Sequence, residues 1–197
     1  MSTAELTASD WKLPSVRKMG MICLILTESA LFTIFVVAYI FYKGKSLNGP
    51  FPWQVLHEFP LLGSIALFGS SGTITLAERA IHRGNIRGFH LWWAITIAMG
   101  AYFLYFTATE WYHLIYTDHL TISTNVFGST FYSLVGLHAS HVVVGLILLS
   151  IILISSLRGK LHPDHYEHME MISWYWHFVD AIWVVVVSVV YIYSVHF

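Results

Sequence analysis

Five long stretches of the chain are almost uninterrupted in apolar residues: 19–42, 60–81, 90–115, 126–157 and 171–196. A helix needs about 20 such residues to cross the hydrocarbon core of a bilayer, so each stretch predicts one membrane span. The third and fourth exceed that length, enough to tilt or to protrude. The two-residue alternation of a membrane β-barrel is absent. Connections between the stretches are short, which predicts one all-α, polytopic bundle of five transmembrane helices over 19–197, preceded by a polar segment, 1–18. That segment lacks the short apolar core and small-residue cleavage site of a secretory signal. The first helix is therefore read as its own uncleaved membrane signal.

Composition sharpens this picture. Of 197 residues 56% are hydrophobic and only 11% charged, where a soluble domain carries roughly a quarter charged. Net charge is −1, which argues against a nucleic-acid partner. Basic residues are placed unevenly: Lys12, Arg17 and Lys18 precede the first span, Arg79, Arg83 and Arg87 surround the second connection, and Arg158 and Lys160 follow the fourth span. Only Lys43 and Lys45 occupy the opposite side. Positive residues stay inside, so the N-terminus is expected in the cytoplasm and the C-terminus outside, in a multi-pass protein of a bacterial cell membrane. The lone cysteine, Cys23, lies within the first span. It has no partner for a disulfide or a Cys-x-x-Cys-His haem attachment and is read as a small packing residue.

Polar residues inside apolar spans are costly and normally face protein or a polar cavity. Glu28 lies about 14 Å into the first span at 1.5 Å per residue, so it is expected to meet a neighbouring helix, either as a structural hydrogen-bonding group or with a role in proton supply or lipid binding. The last span opens with Glu170, Ser173, Trp174, His177 and Asp180 three or four residues apart, one face of a helix, which predicts an inward polar stripe. His138 and His141 lie three apart between Gly136 and Gly145. With His177 they raise the possibility of axial haem ligands on two helices; structural polar contacts account for them equally well. Glu110 and His113 have the Glu-x-x-His spacing of a di-iron bundle, but the second copy that such a site requires is missing. His162, His165 and His168, interrupted by Pro163, fix no coordination geometry. Gly63-Ser64 and Gly69-Ser-Ser-Gly-Thr-Ile-Thr75 in the second span favour close helix approach in lipid. The Asn48-Gly-Pro50-Phe-Pro52 run predicts a turn, and Trp53 an interfacial anchor.

These motifs also carry a resemblance. Trp174-Tyr-Trp-His-Phe-Val-Asp180, preceded by Glu170, resembles the last-helix signature of subunit III of haem-copper terminal oxidases. Leu26-Thr-Glu28-Ser-Ala-Leu-Phe32, Thr107-Ala-Thr-Glu110-Trp-Tyr112, Gly128-Ser-Thr-Phe131 and Gly136-Leu-His138-Ala-Ser-His141-Val-Val-Val-Gly145 resemble the same family in the same order. The resemblance implies a non-catalytic core subunit with no cofactor or metal of its own, packed on a subunit I that holds haem and copper. It also implies bound phospholipid, and proton uptake supported by buried polar residues, for which the candidates are Glu28, Glu110, His138, His141, Glu170, His177 and Asp180. The longest members of the family have seven helices, two of them ahead of the helix matching Met19–Tyr42; this chain carries the five-helix core. Trp174-Tyr-Trp-His is closer to cytochrome c oxidases than to quinol oxidases. Two other functions fit such a chain: an accessory membrane protein of a nitric oxide reductase system, or a stand-alone diheme membrane cytochrome. Co-purified partners separate the first alternative, and a Soret band from the isolated chain the second.

Overall fold

The computed structural model describes residues 15–46, 49–50, 52–55, 60–159 and 166–193, with only the backbone at 52 and 53. All regular structure among them is helical: α1 Val16–Tyr42, a single turn α2 Pro52–Val55, α3 Leu61–His82, α4 Ile86–Tyr116, α5 Val126–Leu157, and α6 Tyr166–Val187, which runs on as a π turn over Ser188–Tyr193. Five of these are long and apolar enough to cross a membrane. The boundaries differ little from the apolar runs, except where polar residues extend a helix beyond the hydrocarbon. α1 gains a turn that includes Arg17 and Lys18, and α4 and α6 each start four or five residues early. The side chain of Trp53 and the loop histidines His162 and His165 lie outside the described residues.

Local chemistry sets the helix ends. Ser15, Asn85 and Asn125 precede α1, α4 and α5, and each side chain accepts a hydrogen bond from the backbone N–H three residues on, at 3.3, 2.9 and 2.7 Å. Such caps satisfy donors that the first helical turn leaves open. Gly44, Gly84 and Gly159 follow the C-terminal ends of α1, α3 and α5 with φ of 71°, 73° and 68°, the left-handed conformation in which helices commonly stop. α3 and α4 are joined by only Arg83–Asn85 and form a close hairpin. Gly63 and Gly69 bring α3 against Phe106 and Met99 of α4, the close approach expected of these small residues.

α6 is the post about which the other helices stand. Its Trp176 is wholly buried and fills a notch where α4 and α5 each present a glycine. A Cβ on Gly100 or Gly145 would come within 2.7 or 2.8 Å of the indole ring. The same ring donates its N–H to Ser70 Oγ of α3 at 2.8 Å. Two turns on, Trp183 donates to Ser64 Oγ at 2.9 Å. An indole N–H in an apolar interior needs an acceptor, and α3 supplies serines at the matching depths. α4 is tied to α5 by Trp93, which donates to the Leu149 carbonyl at 2.8 Å, and by a 2.6 Å bond between His90 and Ser156.

α1 is attached more loosely, along a seam of Phe32, Tyr39 and partly buried neighbours. Its other flank, including Leu26, Ile34 and Val37, is open. Cys23 lies on that open side, so the expectation that it packs within the chain is wrong. α1 meets the bundle along one face only, and position 23 falls on the other.

Candidate functional site

The seven polar residues singled out in the sequence form no single centre. They divide into a pair across α1 and α5, a pair within α6 joined to α3, and three residues standing apart.

Glu28 of α1 meets His141 of α5, with Oε2 and Nε2 3.1 Å apart. The other ring nitrogen lies 2.8 Å from the Leu137 carbonyl. A carbonyl only accepts, so Nδ1 carries a hydrogen and donates to it. One proton then lies between Nε2 and the carboxyl, whichever atom holds it. Both arrangements are neutral overall, as a site far from either end of a span requires. Phe32 packs on the imidazole with centroids 5.0 Å apart, and Tyr175 OH donates to the His141 carbonyl at 3.2 Å. The pair is not sealed: 25% of the Glu28 side chain and 14% of the His141 side chain remain accessible, on the open flank of α1.

His177 and Asp180 are joined through Ser71 of α3. The Ser71 hydroxyl donates to Asp180 Oδ2, and His177 Nδ1 lies 3.0 Å from the same oxygen. A hydroxyl has one hydrogen; since it goes to Asp180, His177 Nδ1–H must donate to Ser71. Asp180 Oδ1 and the buried Ser173 Oγ have no hydrogen-bond partner among the described residues.

The expected single stripe on α6 in fact divides between two neighbours. Glu170 turns to α1, where its carboxylate pairs with Lys18 at 2.8 Å, and Lys18 also lies 5.5 Å from the Trp174 ring. Arg17 pairs with Glu167 at 3.4 Å in the same belt. His177 and Asp180 turn to α3. α6 is flanked by both helices, so residues one turn apart find different partners.

Glu110 accepts from Tyr191 OH in the π turn. His113 instead lies 3.3 Å from Asp118, so Glu110 and His113 do not act together. His138 is fully buried and neither ring nitrogen has a partner among the described residues. It stacks on Trp183 at 4.9 Å and meets the edge of Phe103 at 5.7 Å. No group of three His, Cys, Asp or Glu side chains suited to a metal ion occurs among the described residues. Ser71, Tyr175 and Tyr191 were missed in the sequence. Each contributes one hydroxyl to a partner on another helix, and no local spacing announces that.

The arrangement supports polar contacts and proton exchange between neighbouring groups, within a bundle closed by tryptophans. Comparison with known proteins agrees with such a component. Residues 11–195 match the family model described as cytochrome c oxidase subunit III. Cytochrome c oxidase subunit 3 of Synechocystis is 34% identical over 188 residues, covering 91% of this chain and 76% of that protein. The Thermostichus vulcanus protein of the same name is 33% identical, with 91% and 88% covered. The Sus scrofa protein is 35% identical over 83% of this chain, but the match spans only 64% of its length. With the ordered motifs, the five spans and this family match together, the chain belongs to the cytochrome c oxidase subunit III family.

Proposed function

We propose that the chain is a non-catalytic core subunit of a proton-translocating haem-copper oxidase, packed against the haem- and copper-bearing subunit I. In this reading it stabilises that subunit, binds phospholipid and supports proton uptake, and oxygen reduction takes place elsewhere. The observation that carries the reading is the open flank of α1. Glu28 and His141 form a neutral pair deep in the span, yet remain partly accessible, beside exposed Leu26 and Ile34. A polar pair at that depth is best shielded by protein, so the flank suits a neighbouring subunit or a lipid held between subunits. The uneven basic residues support a cytoplasmic N-terminus in a bacterial cell membrane.

The test is Glu28→Gln in the assembled complex. The amide keeps the shape and can still bond to His141, so the subunit should remain and oxygen reduction should persist. Any defect should appear in proton uptake or in endurance during sustained turnover. A correctly assembled variant unable to reduce oxygen would place Glu28 in the chemistry and end this reading.

A further inference from the structure

We propose that Asp180 is the blind end of a proton-conducting side chain relay, Glu78–His177–Ser71–Asp180, that exchanges protons with water at the membrane face carrying the α3–α4 loop. The relay uses only this chain's residues and stands whether or not the role proposed above is correct. Three observations support it. Ser71 sits between His177 and Asp180 and is bonded to both. Asp180 is only 5% exposed, yet Oδ1 lacks a partner among the described residues. A buried carboxyl oxygen with no partner is costly and marks a place for a hydrogen-bonding guest. Glu78, one turn from the end of α3, is close enough for its charge to act on the His177 ring.

The hydrogen-bond directions define the step. In the resting arrangement His177 carries its hydrogen on Nδ1 and Ser71 donates to Asp180. A proton from water, passed by Glu78, binds His177 Nε2. Nδ1 then releases its hydrogen to Ser71 Oγ as Ser71 passes its own to Asp180 Oδ2. The net change is a protonated Asp180 and a histidine whose hydrogen has moved from Nδ1 to Nε2; nothing is oxidised or reduced. Histidine suits this because its two nitrogens can accept and release separately. Beyond Asp180 the path is closed by Trp183, 1% exposed, packed on Phe103 and His138. The relay therefore stores a proton rather than carrying it across.

The other ionisable groups facing α6 are committed elsewhere or lie apart. Lys18 of α1 pairs with Glu170, and Glu28 of α1 with His141 of α5. Glu110 of α4 holds Tyr191, and His138 of α5 lies behind the Trp183 ring. Ser173, fully buried and also without a partner, is one turn from His177 on the side of α6 toward Glu78, where a water molecule could join the relay.

The experiment is infrared spectroscopy of the purified full-length chain in detergent, titrated in H2O and D2O. The wild type should show a pH-dependent carbonyl band of a protonated carboxyl. That band should move with 13C-aspartate labelling, shift in D2O and be lost in Asp180→Asn. Ser71→Ala should keep the band but slow its D2O shift by on the order of a hundredfold, the scale of losing one positioned proton-transfer group. Absence of the band in wild type at every pH, or its survival in Asp180→Asn, overturns the proposal. Equally fast exchange in Ser71→Ala does so too, because water would then reach Asp180 directly. If Asp180→Asn does not fold, Ser71→Ala with labelled aspartate still decides.

Discussion

α1 and α6 are both bilayer-length, apolar and begin at the same face, but they are used in opposite ways. Over its most apolar stretch α6 has 56% of residues buried, and α1 only 6%. The difference comes from side chain shape and polarity. In lipid, helices gain little from simply removing apolar surface, and association relies on close packing and hydrogen bonds. α6 offers two tryptophans, each with a ring for a notch and an N–H for a serine. α1 offers branched aliphatics that lipid solvates as well as protein does. α6 is thus fixed by this chain alone, whereas α1 keeps a flank for something else.

The contrast breaks first at Trp176. Trp176→Ala empties the space between Gly100 and Gly145 and leaves Ser70 without its donor. The expected loss is about 3 kcal/mol, the low end for a large aromatic because the transfer part shrinks in lipid. Thermal unfolding in detergent should register it as a lowered midpoint, and an unchanged midpoint would remove α6 from the centre of the fold. Gly145→Ala attacks the same notch from the other side. A methyl group 2.8 Å from a fixed indole must displace it, at about 1–3 kcal/mol.

Smaller effects are expected along α1. Lys18→Ala removes one ion pair at the membrane edge, half exposed, where such pairs contribute about 0–1 kcal/mol. Ile34, 65% exposed, should be neutral in the isolated chain when changed to Ala, within about 0.5 kcal/mol. In the assembled complex the same change should loosen retention of the subunit if a partner covers this flank. Equal retention of Ile34→Ala and wild type in harsh detergent would assign the flank to bulk lipid.

What could be read in advance follows the same division. The five spans are legible because a bilayer imposes one length on every crossing. The polar candidates are legible one by one, since each is conspicuous in an apolar run. Their partners are not. Ser71 looks like another small residue among Gly69-Ser-Ser-Gly72, yet it joins His177 to Asp180 across more than a hundred residues of sequence. Ser64 and Ser70 suit close packing in the sequence and prove also to be acceptors for tryptophan. Cys23 was assigned to the interior because thiols usually are buried; which face of α1 turns inward depends on α5 and α6, not on α1. The change of helical type after Val187 has no proline or glycine to announce it.

That last turn has a consequence for how the chain tolerates change in length. A π turn is an α-helix holding one surplus residue, and here the surplus sits just before two anchors. Tyr191 reaches Glu110 of α4, while Tyr193 offers its carbonyl to Lys43 at 2.7 Å and its ring to the same ammonium at 4.0 Å. Deleting one residue between Ser188 and Val190 would let the helix relax to 3.6 residues per turn and rotate everything beyond it by about 100°. Tyr191 would then leave Glu110 and Tyr193 would leave Lys43 together. The far end of the bundle is thus locked by counting: one residue too few would release two helices at once, although no contacting side chain had been altered.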